Sequence, residues 1–363
     1  MRLPDFPWDS LAGHAARARE HPDGVVDLSV GTPVDPVPPL IQRALASVAE
    51  LSGYPATYGT PELRQAAVDA LARRFGVTGV DGLDVLPTIG SKELVAWLPT
   101  LLGVGPGDLV VIPELAYPTY EVGALLAGAE VVRAGGSAGL IGLGPRRPKL
   151  VWLNSPANPT GRVLPAEHLR KVVDWARERD AVVASDECYL SLGWEAEPVS
   201  VLHPSVSGGD PTGLLAVHSL SKSSNLAGYR AGFVAGDGEI VRRLLEVRKH
   251  AGMIMPRPVQ EAMTVALGDD EHVREQRDRY ARRRDVLRPA LTDAGFTIDH
   301  SEAGLYLWAT RGEDAWDSVS WLAERGVLAA PGTFYGPDGG RHVRVALTAT
   351  DERVAAAAKR LAE

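Results

Sequence analysis

The sequence is poor in the residues that staple, anchor or basify a chain. Its 363 residues include one cysteine, Cys188. An intramolecular disulfide is therefore excluded, and a cysteine-based zinc site lacks ligands. Nine histidines are scattered with no HExxH and no close pair, so no metal is expected. No apolar run approaches the ~18 residues that span a bilayer, and no apolar stretch follows a basic start at the N-terminus. No membrane partner is expected, and the expected compartment is the cytoplasm. Acidic residues outnumber basic ones by 46 to 38, a formal charge of -8. A nucleic-acid binder carries the opposite balance, so nucleic acid is not an expected partner. Lysine is scarce too: only Lys92, Lys149, Lys171, Lys222, Lys249 and Lys359 occur. A lysine in a conspicuous setting is correspondingly informative.

What is present is an ordinary folded composition, 45% hydrophobic and 23% charged. The length suggests about two domains. Short apolar runs at 25–30, 84–88, 109–112, 130–132, 150–153, 181–185, 214–218 and 231–235 read as strands. Between them, 39–50, 61–75, 92–102, 120–128 and 165–179 have helical periodicity. That alternation predicts a mostly parallel sheet between helices, an α/β architecture. The last third differs. A long charged helix at 269–294 precedes strands at 296–299, 306–309 and 342–347, with helices at 314–325 and 351–363. The reading is a large domain over 46–268 and a smaller α+β domain over 269–363, with the connecting helix at its start. Residues 1–45 form an N-terminal segment expected to pack with the small domain. The arginines of 274–284 are interleaved with Asp and Glu, which marks a solvated helix rather than a nucleic-acid face. Gly90-Ser91-Lys92 lacks the upstream glycines of a P-loop, and the glycines of 103–107 and 139–144 read as turns.

Three segments carry chemistry. Lys222 lies in His218-Ser219-Leu220-Ser221-Lys222-Ser223-Ser224, just after an apolar strand, with Arg230 a short loop away. Alone it reads as a surface lysine. Amid serines and an arginine, it offers an amine for a Schiff base, with hydroxyls and a guanidinium for a phosphate. In Ala184-Ser185-Asp186-Glu187-Cys188-Tyr189, an apolar run delivers Asp186 to the C-terminal end of a strand, where ligands bind in open α/β sheets. The plainer reading is a capping carboxylate with a packed tyrosine. Asn154-Ser155-Pro156-Ala157-Asn158-Pro159-Thr160-Gly161 follows another strand and makes a rigid turn suited to a cis proline.

Together, in this order and spacing, these segments resemble the pyridoxal-phosphate aminotransferases of fold type I, class I/II, over essentially the whole chain. The resemblance implies a large domain built on a mostly parallel seven-stranded sheet plus a smaller α+β domain, and pyridoxal 5'-phosphate as cofactor. By the same resemblance Lys222 matches the lysine that carries the cofactor and later shuttles a proton at the substrate α-carbon. Asp186 matches the acid that pairs with the ring nitrogen, and Asn158 and Tyr189 the residues that hydrogen-bond the phenolic oxygen. Tyr117 matches the aromatic that stacks on the ring. Gly90, Ser91, Lys92, Ser219, Ser221 and Arg230 match the phosphate cup, although Lys92 departs from the commonest family residue. Tyr54 matches a tyrosine that reaches the partner subunit's phosphate, with Tyr58 as a rival, which implies a homodimer with shared sites. Arg344 matches the arginine that holds the substrate α-carboxylate, and Gly31 the glycine whose backbone approaches it.

A finer resemblance rests on Leu3-Pro4-Asp5-Phe6-Pro7-Trp8-Asp9-Ser10-Leu11, the 30–38 stretch and Gly90-Ser91-Lys92-Glu93. These look like the N-succinyldiaminopimelate aminotransferases of GC-rich bacteria. They imply succinyldiaminopimelate transaminase activity in lysine and diaminopimelate biosynthesis. Such a pocket needs a second cation or several donors at its mouth, for which Arg257, Tyr335 and Thr32 are candidates. Aspartate, aromatic, kynurenine or LL-diaminopimelate aminotransferases are alternatives, as is a β-lyase. A non-catalytic regulator would need a headpiece for which the pattern, starting by Val25, leaves no room.

Overall fold

Leu150–Asn154 is buried at all five positions, and a strand with no polar face belongs inside a sheet covered on both sides. The computed structural model describes residues 3–363, except the side chain of Ser137. Met1 and Arg2, which open the expected N-terminal segment, lie outside the described residues. The strands run β1 (Val26–Asp27), β2 (Leu83–Ile89), β3 (Leu109–Pro113), β4 (Glu130–Ala134), β5 (Leu150–Asn154), β6 (Val182–Asp186), β7 (Leu214–Ser219), β8 (Ala231–Asp237), β9 (Thr297–Asp299), β10 (Tyr306–Thr310), β11 (Val327–Leu328), β12 (Ala330–Pro331) and β13 (Val343–Ala346).

Seven of them form one sheet in the order β2-β8-β7-β6-β5-β3-β4. All its pairings are parallel except those of β8, which is antiparallel to both β7 and β2. Alternate side chains serve opposite faces. Val151 and Leu153 join helices Pro61–Phe75, Ala166–Arg177 and Arg257–Gly268 in one cluster, while Leu150 and Trp152 join Ser91–Leu101, Thr119–Ala127 and Gly238–Ala251 in another. A third cluster surrounds the antiparallel sheet β12-β13-β10-β9 and includes Leu11, Val26 and Leu28 from the start of the chain. Local chemistry sets the helix ends. Thr60 caps Pro61–Phe75 by accepting from Leu63 N at 3.1 Å, and left-handed Gly76 closes it. No helix among the described residues is long and apolar enough to cross a membrane.

Several elements differ from expectation. The strand expected at 25–30 is only Val26–Asp27, because Asp27 Oδ1 accepts from both the backbone and the hydroxyl of Ser29 and turns the chain. The glycines at 139 and 142 lie in a short helix, Gly136–Gly142, not in a turn. Helices Ala12–Arg19, Gly238–Ala251 and Arg257–Gly268 were not anticipated. The charged helix spans Glu271–Asp293 and leaves Asp269 outside it.

Candidate active site

Parallel strands gather their C-terminal ends, and that edge holds the chemistry. Asn154 ends β5, Asp186 ends β6 and Ser219 ends β7. They line or border one cavity of about 1190 Å3. A pocket for one drug-sized ligand holds about 300–1,000 Å3, so this one is large enough for two small molecules together.

The Asn154–Gly161 turn is tied down from within. Asn154 Nδ2 donates to the Asp186 carbonyl at 2.9 Å, and its Oδ1 accepts from Asn158 N at 2.7 Å. The Ser155–Pro156 and Asn158–Pro159 peptides are both cis. The turn thereby holds Asn158 in the cavity wall, where its Oδ1 accepts from Arg344 Nη1 at 2.9 Å. Arg344 Nη2 donates to the Ser29 carbonyl at 2.7 Å, and its guanidinium lies 3.9 Å from the Tyr306 ring centroid.

Asp186 is buried, and burial raises its carboxyl above the usual range, while hydrogen bonds from Cys188 and Tyr120 oppose the shift. Tyr120 donates to Oδ2 at 2.7 Å and Cys188 N to Oδ1 at 3.2 Å. No ion pair engages Asp186 among the described residues. Tyr189 shares a hydrogen bond of 3.1 Å with the Tyr306 hydroxyl. Tyr117 also lines the cavity, edge-on to Tyr120 with ring centroids 5.8 Å apart.

Lys222 projects between the two layers and donates from Nζ to the Gly31 carbonyl. Burial lowers its ammonium to about 8, and the charges of Arg344 and Arg230 act in the same direction. A Cβ on Gly31 would collide with the Tyr306 hydroxyl, so only glycine lets this backbone come so close.

At the other end, Ser219 Oγ donates to Ser221 Oγ at 2.9 Å and accepts from Ser221 N at 3.1 Å. Helix Ser91–Leu101 points its N-terminus here, with Gly90 as cap at φ +76°. The Arg230 guanidinium packs where a Gly90 Cβ would stand. Lys92, expected beside a phosphate, instead sets its ammonium 5.5 Å from the ring centroid of Phe6.

Two expected residues stand apart from the cavity in this chain. Tyr54 is 99% exposed. Tyr58 donates its hydroxyl to Asp84 at 2.5 Å, with Arg64 stacked 3.8 Å from its ring centroid. Of the three candidates for the mouth, Thr32 lines the cavity, Tyr335 is buried with its ring centroid 5.0 Å from the Arg344 guanidinium, and Arg257 faces Glu261 at 3.7 Å on its own helix, away from the cavity. Sequence reasoning missed Tyr120, Tyr306 and the aromatic strap of Phe6 and Trp8. Tyr120 alone left a usable signal, an aromatic in the first turn of a helix next to Tyr117.

A mostly parallel sheet with an unpaired buried carboxylate, a buried lysine whose ammonium is lowered to about 8 and a serine–arginine cup at one edge is the layout of a fold type I, pyridoxal-phosphate-dependent enzyme. The family model for aminotransferases of class I and II matches residues 23–361, and the chain belongs to that family. It is 69% identical over 359 residues to a probable aminotransferase of Mycobacterium tuberculosis, covering 99% of this chain and 85% of the relative. It is 58% identical over 359 residues to the 4-dedimethylamino-4-oxo-anhydrotetracycline transaminase of Streptomyces rimosus, covering 99% of each. Among solved structures, a probable N-succinyldiaminopimelate aminotransferase from Thermus thermophilus matches with a TM-score of 0.86 and 31% identity, over 98% of this chain and 99% of that one.

Proposed function

We propose that this aminotransferase exchanges an amino group between N-succinyl-LL-2,6-diaminopimelate and 2-oxoglutarate, a step of lysine and diaminopimelate biosynthesis. The observation that carries the reading is that one large cavity is lined by both Arg344 and Lys92. Arg344 offers a guanidinium fork at the inner end, and Lys92, without a carboxylate partner among the described residues, stands at the strap. Two cations on the wall of a cavity of this volume suit a short dicarboxylate and a longer succinylated one alike. The Thermus thermophilus neighbour, by its name, supports the same substrate class.

The residues fit pyridoxal phosphate. Asp186 is a buried carboxylate in need of a cationic partner, and a ring nitrogen that keeps its proton satisfies it. The Ser219, Ser221 and Arg230 groups, with the backbone N–H of Ser91 at the helix start, suit a phosphate at a helix N-terminus. When bound, the cofactor supplies an aldehyde for covalent attachment and a ring that withdraws electrons from the substrate α-carbon.

This chain's own groups do the rest. Lys222 holds the cofactor and then takes and returns a proton at the substrate α-carbon, a task suited to an amine whose pKa burial brings down to about 8, close to the working pH. Asn158 has its Oδ1 committed to Arg344, which leaves Nδ2 to donate to the phenolic oxygen alongside Tyr189. Tyr117 covers the ring face. Arg344 binds the α-carboxylate, and Gly31 lets the backbone close over it. We divide the chain at 1–45, 46–268 and 269–363; Leu11, Val26 and Leu28 pack in the cluster of the small domain, whereas Ile41 packs with the large one. We further propose a cytoplasmic homodimer in which Tyr54, exposed here, reaches the partner's phosphate, since Tyr58 is committed to Asp84.

A second reading has its own support. The mouth is lined by Phe6, Trp8 and Phe334, apolar surfaces that also suit a polycyclic ketone such as the one in the name of the Streptomyces rimosus relative. Purified enzyme with glutamate as donor separates the two. The first predicts a higher kcat/KM for N-succinyl-2-amino-6-oxopimelate than for oxaloacetate or a polycyclic ketone. A preference for the ketone overturns it.

A further inference from the structure

Helix Glu271–Asp293 turns four polar side chains toward the lysine loop at helical spacing: His272, Gln276, Tyr280 and Arg283. Each has a partner there or on the N-terminal segment. His272 meets Asp269 Oδ2 through Nδ1 at 2.6 Å and Ser224 Oγ through Nε2 at 2.8 Å. The trio has the order of a nucleophilic triad, but Ser224 is 1% exposed and borders no cavity, so it anchors the loop. Tyr280 donates to the Lys222 carbonyl at 3.3 Å. Arg283 grips Asp35 with two bonds of 2.6 and 2.8 Å.

Gln276 alone among these side chains joins both segments. Its Nε2 donates to Asp35 Oδ2 at 2.8 Å, and its Oε1 accepts from Asn225 Nδ2 at 2.9 Å. Asn225 Nδ2 donates also to the Pro36 carbonyl at 3.2 Å. The amide orientations are fixed by chemistry, because a carboxylate and a carbonyl at the two ends can only accept. Residues 31–36 and 222–225 thus meet at three points: the Lys222 amine on the Gly31 carbonyl, the Asn225 amide on the Pro36 carbonyl, and the buried Gln276 carboxamide that bridges Asn225 and Asp35.

We propose that Gln276 is a positioning residue for the Lys222 amine, setting the spacing between the lysine loop and the Gly31-bearing segment through Asn225 and Asp35. The inference rests on Lys222 being the cofactor-bearing lysine. A glutamine is needed because the bridge must donate at one end and accept at the other. Glutamate would face the Asp35 carboxylate, and leucine would leave buried polar groups unpaired.

The test compares holoenzymes of wild type, Q276E, N225G and D35N/Q276E. N225G keeps the left-handed backbone of Asn225, φ +55°, and removes only the amide. Displacing a reacting amine by a fraction of an ångström lowers kcat by about tenfold or more in Q276E and N225G. KM for glutamate stays within about threefold, because Gln276 does not touch Arg344 or its partners. Visible absorbance per subunit is unchanged, and hydrogen exchange quickens at 31–36 and 222–226. The double variant gives the new carboxylate at position 276 a donor at position 35 but takes one acceptor from Arg283, so it recovers part of kcat, to a value several-fold above Q276E. Wild-type kcat in N225G overturns the inference, as does a double variant no faster than Q276E. Should Q276E not fold, N225G decides. Borohydride reduction of wild-type holoenzyme and peptide mapping test the underlying reading separately: a cofactor on another lysine sinks that reading whatever the variants do.

Discussion

Tyr120 donates its hydroxyl hydrogen to Asp186 Oδ2 at 2.7 Å, from a ring stacked on Trp152 with centroids 4.8 Å apart. The carboxylate is thus aimed by a side chain from a different strand–helix turn. Tyr120→Phe keeps the stack and removes the donor, and kcat should fall about tenfold, the scale of one buried hydrogen bond. Asp186→Asn should cost several orders of magnitude, because an amide cannot keep the ring nitrogen protonated. Steady-state rates at saturating substrates check the ranking, and equal losses would contradict it.

Gly90 and Arg230 occupy each other's space, so Gly90→Ala forces the guanidinium aside and strains a backbone at φ +76°. The expected result is folded protein that binds pyridoxal phosphate about tenfold more weakly or worse. Absorbance titration of the apoprotein measures it, and wild-type affinity would remove Arg230 from the phosphate.

Behind the site, Glu187 Oε2 faces His218 Nε2 at 3.4 Å, and Val201 N donates to Glu187 Oε1 at 2.7 Å. Burial pushes Glu187 up to about 7 and His218 down to about 3, so between those two values the pair is neutral acid and neutral ring. Glu187 ordinarily titrates at 4.5. Its neutral form therefore supports the fold fully below that value, and the contribution is lost as pH rises through about 7. Glu187→Gln stays neutral throughout. His218, held low by burial, adds stability in both proteins as pH rises through 6.5, so the change in urea midpoint from about pH 5 to about pH 8 should be more negative in wild type than in the variant. Parallel shifts in the two proteins would reject the assignment.

Mixed subunits address Tyr54. If it serves the partner's site, a heterodimer of Lys222→Ala and Tyr54→Phe chains has one site with both defects and one with neither. Mixing inactive Lys222→Ala with weakened Tyr54→Phe chains should then raise activity above the sum of the two parents. Activity equal to that sum would place the tyrosine elsewhere.

Much of the site was legible because its residues end strands. Asp186 ends an apolar strand, Asn158 and Lys222 follow one within a short loop, Arg230 directly precedes one, and the structure gathers all four in one cavity. Tyr306 was not legible. It reaches Arg344 only through the β10–β13 register, which sets Trp308 opposite Arg344, and that pairing leaves no local trace. Helix Gly238–Ala251 was hidden for another reason. Its apolar stripe of Ile240, Val241, Leu244 and Leu245 continues into Arg248, fully buried and paired with Glu93 at 2.9 Å. A charge on the buried stripe breaks the pattern that periodicity detects. Lys92 was assigned by its neighbours in sequence, but its long side chain turns toward the strap instead.

Arg344 and Ser29 are bonded across 315 positions of the chain. A ribosome therefore releases Gly90, Asp186, Ser221 and Arg230 well before the guanidinium that completes the opposite wall, and β8, which locks β2 into the sheet, directly follows Arg230. During synthesis the half of the cavity around Asp186 and Arg230 can assemble while the carboxylate fork is still missing. If Arg344 holds the substrate carboxylate as proposed, that grip is the last part of the site the nascent polypeptide completes.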